Sequence, residues 1–244
     1  MKLNKEQLIS LCDFSDEENC YISKSGKEYA DALKAIFYPD DDGNTNDKPF
    51  LEEDILVQPT LRRFHFAALD QFKFNCKLKA IPMKLDKNGD LMNLGGRSKS
   101  REKVIAYDFY DDDAENIFKN SVGVAYIITC PIDDDEYIIK IGQTGGTFED
   151  RLGSYNCGYV TNWRTASTTN IKIVQSFVAT RKVFNLYIRD CGMLAKKYKW
   201  AHRSTALIAS PLVEAIENIC LQRFNEKFHC KPLANVQTKK QTDD

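Results

Sequence analysis

The 244-residue sequence lacks several features that would place it in a special class of protein. It has no apolar run near the roughly 18 residues of a membrane-spanning helix, and residues 1–6 lack the apolar core of a secretory signal. None of its eight cysteines form a C-x-x-C pair, and the gaps between them are too wide for a zinc knuckle. These absences predict a cytoplasmic protein with reduced thiols and no membrane partner.

Charge is distributed unevenly along the chain, although the net charge is only −1. Residues 1–120 carry 18 Lys and Arg against 23 Asp and Glu, whereas residues 121–244 carry 16 against 12. A basic half next to an acidic half is compatible with nucleic-acid binding by the basic half. Because the recognisable motifs described below lie beyond residue 120, we treat residues 1–120 as an accessory region of unknown role, residues 121–236 as the functional domain, and residues 237–244 as a polar tail.

Three patterns predict regular structure in the accessory region. The spacing of Tyr29, Leu33 and Ile36 is typical of a helix. The stretch 72–85 begins by alternating apolar residues with lysines, which predicts a half-buried strand with a basic outer face. Asn-Gly at positions 88 and 89 is a strong hairpin signal. The accessory region is therefore expected to be α+β.

The most informative stretch runs from Gly123 to Tyr155. Two runs rich in β-branched residues, 122–129 and 137–144, flank a connection that contains Pro131 and three aspartates, so they predict a β-hairpin. Thr147 then offers a side-chain oxygen to cap a helix. Arg151 and Tyr155 are four residues apart and share one face of that helix.

Further along the chain, three more elements are predicted. Residues 171–178 alternate in polarity and predict the third strand of the sheet, and the basic stretch 180–205 predicts a helix with interleaved apolar residues. Ser210 and Pro211 are a typical N-cap and first residue of a final helix. That helix carries Glu214 and Glu217 one turn apart.

This order of side chains resembles the GIY-YIG nuclease family over residues 122–236, roughly half of the chain. The first motif of the family matches 124–126, with the glycine one place earlier at Gly123. The second motif matches 140–142 in a K-I-G spelling that resembles a known variant, with Lys140 in place of the usual tyrosine. Arg151 matches the catalytic arginine. The resemblance implies an α+β fold, in which helices flank a small three-stranded antiparallel sheet.

The closing pattern of the family is a helical glutamate followed by a proline and an asparagine. Glu217 matches the glutamate, with Glu214 as its rival, and Pro232 and Asn235 match the end of the pattern. The distance from the acid to Asn235 is longer than usual in the family. The choice between Glu214 and Glu217 therefore stays open at this point.

The resemblance implies a metal-dependent endonuclease of restriction or mobile-element type that hydrolyses phosphodiester bonds in double-stranded DNA. Mg²⁺ or Mn²⁺ would be the cofactor, and Glu217 its ligand. Arg151 would contact the scissile phosphate as charge develops. Tyr126 would act on the attacking water, assisted by the cation of Lys140.

Two further residues complete the implied site, and two other classes of function remain. Tyr155 would hold the phosphate by its hydroxyl, and Asn235 would brace the site. The alternatives are a nucleic-acid-binding module that keeps the nuclease fold without cutting, and a structural or interaction protein. Catalysis requires Glu217 and Arg151 to face one cleft with Tyr126, whereas a binding module requires only a basic surface.

Overall fold

The computed structural model describes residues 3–37, 48–95, 103–155, 168–194, 199–200, 203–204, 208–209 and 212–235. The α-helices are α1 (Lys5–Ser10), α2 (Gly26–Phe37), α3 (Glu52–Leu56), α4 (Leu61–Phe64), α5 (Asp112–Asn120), α6 (Phe148–Tyr155), α7 (Thr168–Thr180) and α8 (Leu212–Phe228). A 3-10 helix covers Ala67–Gln71. No helix in these ranges is long and apolar enough to cross a membrane.

The strands are β1 (Cys12–Ser15), β2 (Cys20–Ser23), β3 (Lys73–Ala80), β4 (Lys84–Leu85), β5 (Ile105–Phe109), β6 (Val124–Ile132), β7 (Asp135–Thr144), β8 (Val183–Asp190), β9 (Met193–Leu194), β10 (Lys199–Trp200), β11 (Arg203–Ser204) and β12 (Ile208–Ala209). Strands β1, β2 and β4 form one small sheet. Strands β9 to β12 form two short antiparallel pairs, β9 with β12 and β10 with β11.

The main sheet has five strands in the order β5-β3-β8-β6-β7, and all neighbours are antiparallel. The predicted α+β class is therefore confirmed. The sheet is wider than the three strands expected, because β3 and β5 extend it beyond β8. These two strands precede residue 121, so the sheet runs without a break across the expected boundary between the accessory region and the functional domain.

Helices cover both faces of the main sheet. Because successive residues of a strand point to opposite faces, neighbouring residues of β6 pack into two different cores. Tyr126 and Ile128 of β6 join the larger core, together with residues of α5, α6 and α7. Ala125 and Ile127 of the same strand join a second core with residues of α4 and α8. Strand β6 is thus buried on both sides, which explains its nearly continuous apolar sequence.

Polar contacts also attach the N-terminal part of the chain to the larger core. The buried hydroxyl of Tyr29 on α2 donates a hydrogen bond to Gln175 on α7. The backbone N–H of Phe50 donates to the hydroxyl of Ser176, one residue further along α7, over 2.7 Å. Buried polar groups are costly unless they are hydrogen-bonded, so these pairs fix how the N-terminal part lies against α7.

Two predicted elements were wrong. Residues 171–178, predicted as the third strand, lie inside helix α7, and residues 172–180 of this helix are almost entirely buried. A short apolar run in a fully buried helix cannot be distinguished by period from a buried strand. The third strand of the hairpin sheet is β8, within the stretch 180–205 predicted as a helix, where Phe184, Leu186 and Ile188 point inward.

The other predicted elements are confirmed where the structure describes them. Helix α2, strand β3 and the β6–β7 hairpin form as expected, and Asn88 and Gly89 lie in a turn between Leu85 and Leu91, which are bridged to each other. Helix α8 begins at Leu212. The predicted capping residues 210–211 and the polar tail 237–244 lie outside the described residues.

Strand β7 is an edge strand, but its outer backbone groups are occupied. The N–H of Ile138 donates to the carbonyl of Pro59 over 3.0 Å. Ala234 donates its N–H to the carbonyl of Ile139 over 2.9 Å. The side-chain amide of Asn235 then exchanges two hydrogen bonds with the backbone of Ile141. Two distant segments of the chain therefore cover this edge of the sheet.

Candidate active site

Three of the predicted side chains form one hydrogen-bonded cluster. The Nε of Arg151 donates to the hydroxyl of Tyr126 over 3.2 Å, and the hydroxyls of Tyr126 and Tyr155 are 3.1 Å apart. The guanidinium carbon of Arg151 also lies 4.9 Å from the ring centroid of Tyr155. A tyrosine hydroxyl offers one donor and two acceptor positions, so these contacts leave one position of Tyr126 for another partner.

Helix α6 positions both Arg151 and Tyr155. Its start is capped by Thr147, whose hydroxyl oxygen accepts the N–H of Asp150 over 3.1 Å, as predicted. Glu149 and Asp150 lie in the first turn, where carboxylates are favoured by the helix dipole. The spacing of four residues then directs Arg151 and Tyr155 to the same face, toward β6.

The ring of Tyr126 depends on the glycine opposite it. Tyr126 on β6 pairs with Gly142 on β7, and the ring lies directly over that glycine. A Cβ atom built on Gly142 would lie 2.4 Å from the ring carbon Cζ and 2.5 Å from the hydroxyl oxygen. Phe148 packs edge-on against the ring at 4.9 Å. The glycine of the K-I-G motif is therefore required to make room for Tyr126.

Lys140 lies on β7, two residues before Gly142, and is 8% exposed. Its Nζ donates a hydrogen bond to the carbonyl of Ala234 over 3.4 Å. Burial lowers the pKa of Lys140 to about 8, with the cation of Arg151 acting in the same direction and the carboxylate of Glu217 opposing it. Lys140 is therefore close enough to Arg151 and to Glu217 for their charges to influence it.

The two candidate glutamates differ in their surroundings. Glu217 on α8 is half-buried and influences the charge of Lys140, whereas Glu214, one turn earlier, is exposed. Val213, Ile216 and Cys220 form the buried face of the same helix. These surroundings favour Glu217 over Glu214 as the carboxylate that belongs with the cluster.

Asn235 is brought to the same strand but does not contact the tyrosines. Its amide oxygen accepts from the N–H of Ile141 over 3.1 Å, and its amide nitrogen donates to the carbonyl of Ile141 over 2.8 Å. Ile141 lies between Lys140 and Gly142. Asn235 therefore supports strand β7 beside Lys140 and Gly142.

The surroundings of Arg151 favour the charged form of its guanidinium. Burial acts against the charge on Arg151, but the oxygens of Tyr126 and Tyr155 outweigh it and raise the pKa of the guanidinium. Burial also raises the pKa of Tyr155, with Tyr126 adding to this effect and Arg151 opposing it. Tyr126 and Tyr155 are almost fully buried, so Arg151, which is only half-buried, lies on the solvent side of the cluster.

Some residues of this site were not identified from the sequence. Phe148 and the segment at Pro59 had no recognisable signal, because their contacts join distant parts of the chain. Gly142 was recognised as part of a motif, but its contact with Tyr126 was not foreseen. Among the residues that the structure describes, no group of three or more His, Cys, Asp or Glu side chains could together hold a metal ion.

The fold and the site define an α+β protein with a buried Tyr–Arg–Tyr cluster beside a lysine and a carboxylate, at one edge of an antiparallel sheet. No protein-family model and no curated protein sequence matches the chain. Its fold is similar to a solved structure of the restriction endonuclease HPY188I in complex with product DNA, at 22% sequence identity and a TM-score of 0.46. The alignment covers 78% of this chain and 93% of that one.

Proposed function

We propose that this chain is an endonuclease of the GIY-YIG type, which hydrolyses phosphodiester bonds in double-stranded DNA with the help of Mg²⁺ or Mn²⁺. The observation that carries the proposal is the hydrogen-bonded cluster of Tyr126, Arg151 and Tyr155. The motif pattern of the sequence assigns each of these residues a role at one phosphate. Their order on strand, helix and helix is that of the family motif.

Hydrolysis forms one bond between phosphorus and a water oxygen and breaks the bond to the leaving oxygen. Tyr126 acts as the phenolate, takes the proton of the attacking water, and releases it to solvent after the reaction; Arg151 and Tyr155 fix the direction of its oxygen. The guanidinium of Arg151 binds the phosphate oxygens as negative charge accumulates on them. The leaving oxygen takes a proton from solvent.

A single carboxylate suits Mg²⁺ at this site. The ion often keeps several waters and binds one or two protein carboxylates together with phosphate oxygens of the substrate. Glu217 is half-buried within electrostatic reach of Lys140, so its carboxylate can serve as that ligand. When bound, the ion neutralises charge on the phosphate. Lys140 contributes a second positive charge there, and its protonation would be favoured by the bound phosphate.

One observation favours the alternative of a DNA-binding module that does not cut. Tyr126 has no exposed surface, and a residue that accepts a proton from water must be reached by water. In that alternative the cluster would stabilise the fold, while basic side chains at its edge would bind DNA. The two functions differ in turnover and can be separated directly.

The decisive experiment is cleavage of a supercoiled plasmid with Mg²⁺, with Mn²⁺ and with a chelator. We expect nicked or linear product with either ion and none with the chelator. Arg151→Ala should lower the cleavage rate by about 10²–10³-fold, as for loss of one transition-state donor, and weaken DNA binding much less. Arg62→Ala removes a surface guanidinium that is 85% exposed and serves as the matched control. Binding without cleavage by the wild-type protein would select the DNA-binding module instead.

The role of the carboxylate is tested by two isosteric variants on one helix. Glu217→Gln should abolish metal-dependent cleavage. Glu214→Gln should retain it, because Glu217 is the one of the two glutamates that influences the pKa of Lys140. The reverse result would assign the metal to Glu214. Full activity of both variants would remove the one-carboxylate site from the mechanism.

A further inference from the structure

A cleft of about 540 Å³ lies away from the tyrosine cluster, between the α4 region and the last turns of α8. We call it the α8 cleft. Its walls include Phe64, Phe66 and Ala67 on one side and Arg223 and Lys227 on the other. The proposed reaction uses none of these residues.

The α8 cleft lies at the C-terminal end of the helix that carries Glu217. Glu217, Leu221, Phe224 and Phe228 are spaced by four, three and four residues, so they form one stripe along α8. Phe64, which lines the cleft, packs against two members of this stripe, with ring centroids 5.2 Å from Phe224 and 6.1 Å from Phe228. One helix therefore carries both the proposed metal ligand and one wall of the cleft, with the buried ring of Phe224 between them.

Cations outnumber carboxylates around the cleft. Arg223 and Lys227 line it together with one carboxylate, Glu226, which is 3.9 Å from Arg223. Arg63 adds a third cation beside the cleft. Arg63 and Lys227 each lie 5.8 Å from the ring centroid of Phe228. Because Arg223 and Lys227 are exposed, both can reach an anionic ligand.

The apolar wall adds a second requirement for the ligand. Phe66 is half-buried and Ala67 is exposed, so they present apolar surface to the cleft that the cations also line. A ligand that suits both walls carries negative charge on one side and apolar carbon on the other. The sugar–phosphate backbone of a nucleic acid has this character, with phosphate oxygens outside and deoxyribose carbons behind them.

We propose that the α8 cleft binds the backbone of the substrate DNA strand that flanks the cleaved bond, with Arg223 and Lys227 on phosphates and Phe66 against deoxyribose. The inference deepens the proposed nuclease function and rests on it for the position of the cut. Ten residues of α-helix separate Glu217 from Lys227, a length of about 15 Å. One strand of DNA advances about 3.4 Å per phosphate, so the contact lies about four nucleotides from the cut if α8 follows the duplex.

The test is a salt titration of DNA binding, measured by fluorescence anisotropy with a labelled duplex of mixed sequence. The double variant Arg223→Gln/Lys227→Gln removes two phosphate contacts, so the slope of log K against log salt should become shallower by about 1.8. The same relation predicts about 30-fold weaker binding near 0.15 M salt. The control Lys87→Gln/Lys103→Gln removes two exposed lysines on other elements and should bind like the wild-type protein.

The outcomes separate this inference from the proposed activity. Equal slopes for the cleft variant and the control would overturn the α8 cleft as a DNA contact, even if the wild-type protein cleaves plasmid. A protein with no affinity for the duplex would overturn it as well. If the wild-type protein binds DNA with the predicted change in slope but never cleaves plasmid, the DNA contact stands and the nuclease proposal fails.

Discussion

The close contact between Gly142 and Tyr126 gives the sharpest prediction. Gly142→Ala would place a Cβ atom 2.4 Å from the ring carbon Cζ of Tyr126, a distance that no real Cβ contact reaches. The ring cannot move freely, because Phe148 packs against it and Arg151 holds its hydroxyl. Either the strands must separate or Tyr126 must leave the cluster.

The cost of either response follows from general magnitudes. Inserting a methyl group into a packed core typically costs about 1–3 kcal/mol. Loss of a hydrogen bond to a charged group adds about 1.5–3 kcal/mol if Tyr126 is displaced from Arg151. We therefore expect Gly142→Ala to lower the free energy of unfolding by about 3–5 kcal/mol. For a chain of this size the melting temperature should fall by roughly 6–20 °C.

The assay is denaturant unfolding, combined with plasmid cleavage. Gly153→Ala is the matched control, because no described atom lies within 4 Å of a Cβ built there and Gly153 is inside helix α6. That variant should gain about 0.5–1 kcal/mol. Adding Tyr126→Ala to Gly142→Ala should cost far less than the sum of the two single changes, since the clash is gone. Wild-type stability and activity of Gly142→Ala would refute the steric reasoning.

Three further changes test neighbouring parts of the site. Tyr155→Phe removes the hydroxyl beside Tyr126 but keeps the ring under Arg151, so the free energy of unfolding should fall by about 1–3 kcal/mol. An unchanged midpoint of denaturant unfolding would contradict the hydrogen bond. The pKa of Lys140 in the folded protein, about 8, lies below its ordinary value of 10.5, so the unfolded chain binds the proton more tightly. The free energy of unfolding should therefore rise from pH 8 to pH 10.5. Lys140→Met should flatten that rise, and an identical pH dependence would exclude a buried lysine. Asn235→Ala removes both hydrogen bonds to the Ile141 backbone and should cost about 1–3 kcal/mol, and Asn235→Asp should cost at least as much, because it sets a carboxylate oxygen against the Ile141 carbonyl.

The hairpin and the start of helix α6 could be predicted because their signals are local. The runs that became β6 and β7 are short, β-branched and separated by turn residues, and Thr147 lies directly before the helix it caps. The three members of the tyrosine cluster were selected from the order of motifs. Their assignment to the GIY-YIG family stays a prediction, as do their catalytic roles.

The sequence pattern alone could not show that residues 171–178 belong to helix α7 and that the next stretch contains strand β8. In helix α7, Ile173, Val174, Phe177 and Val178 fit helical spacing, whereas the alternation that predicts a strand separates Ile173 and Phe177 from Val174 and Val178. Burial on all sides removes the polar face that would reveal the period. In β8 the inward and outward residues do alternate, but the basic residues around them suggested a helix.

The width of the sheet and the cover of its edge depend on contacts between distant residues. Strand β3 was predicted, yet its pairing with β8 joins residues more than a hundred positions apart. Pairing of this kind is decided by tertiary packing, which single-sequence patterns do not report. The expected accessory region therefore supplies two strands of the same sheet that carries the site.

The cover over strand β7 has a consequence for how the protein can be shortened or fused. An open edge strand offers its N–H and C=O groups to any other chain and so invites aggregation. Pro59, Ala234 and Asn235 use those groups internally, at the same strand that carries Lys140 and Gly142. A version of the chain that stops before Ala234 would expose this edge. Any loss of activity in that version could then arise from self-association through β7 as well as from loss of catalytic groups. Boundaries for expression should therefore be placed beyond Asn235.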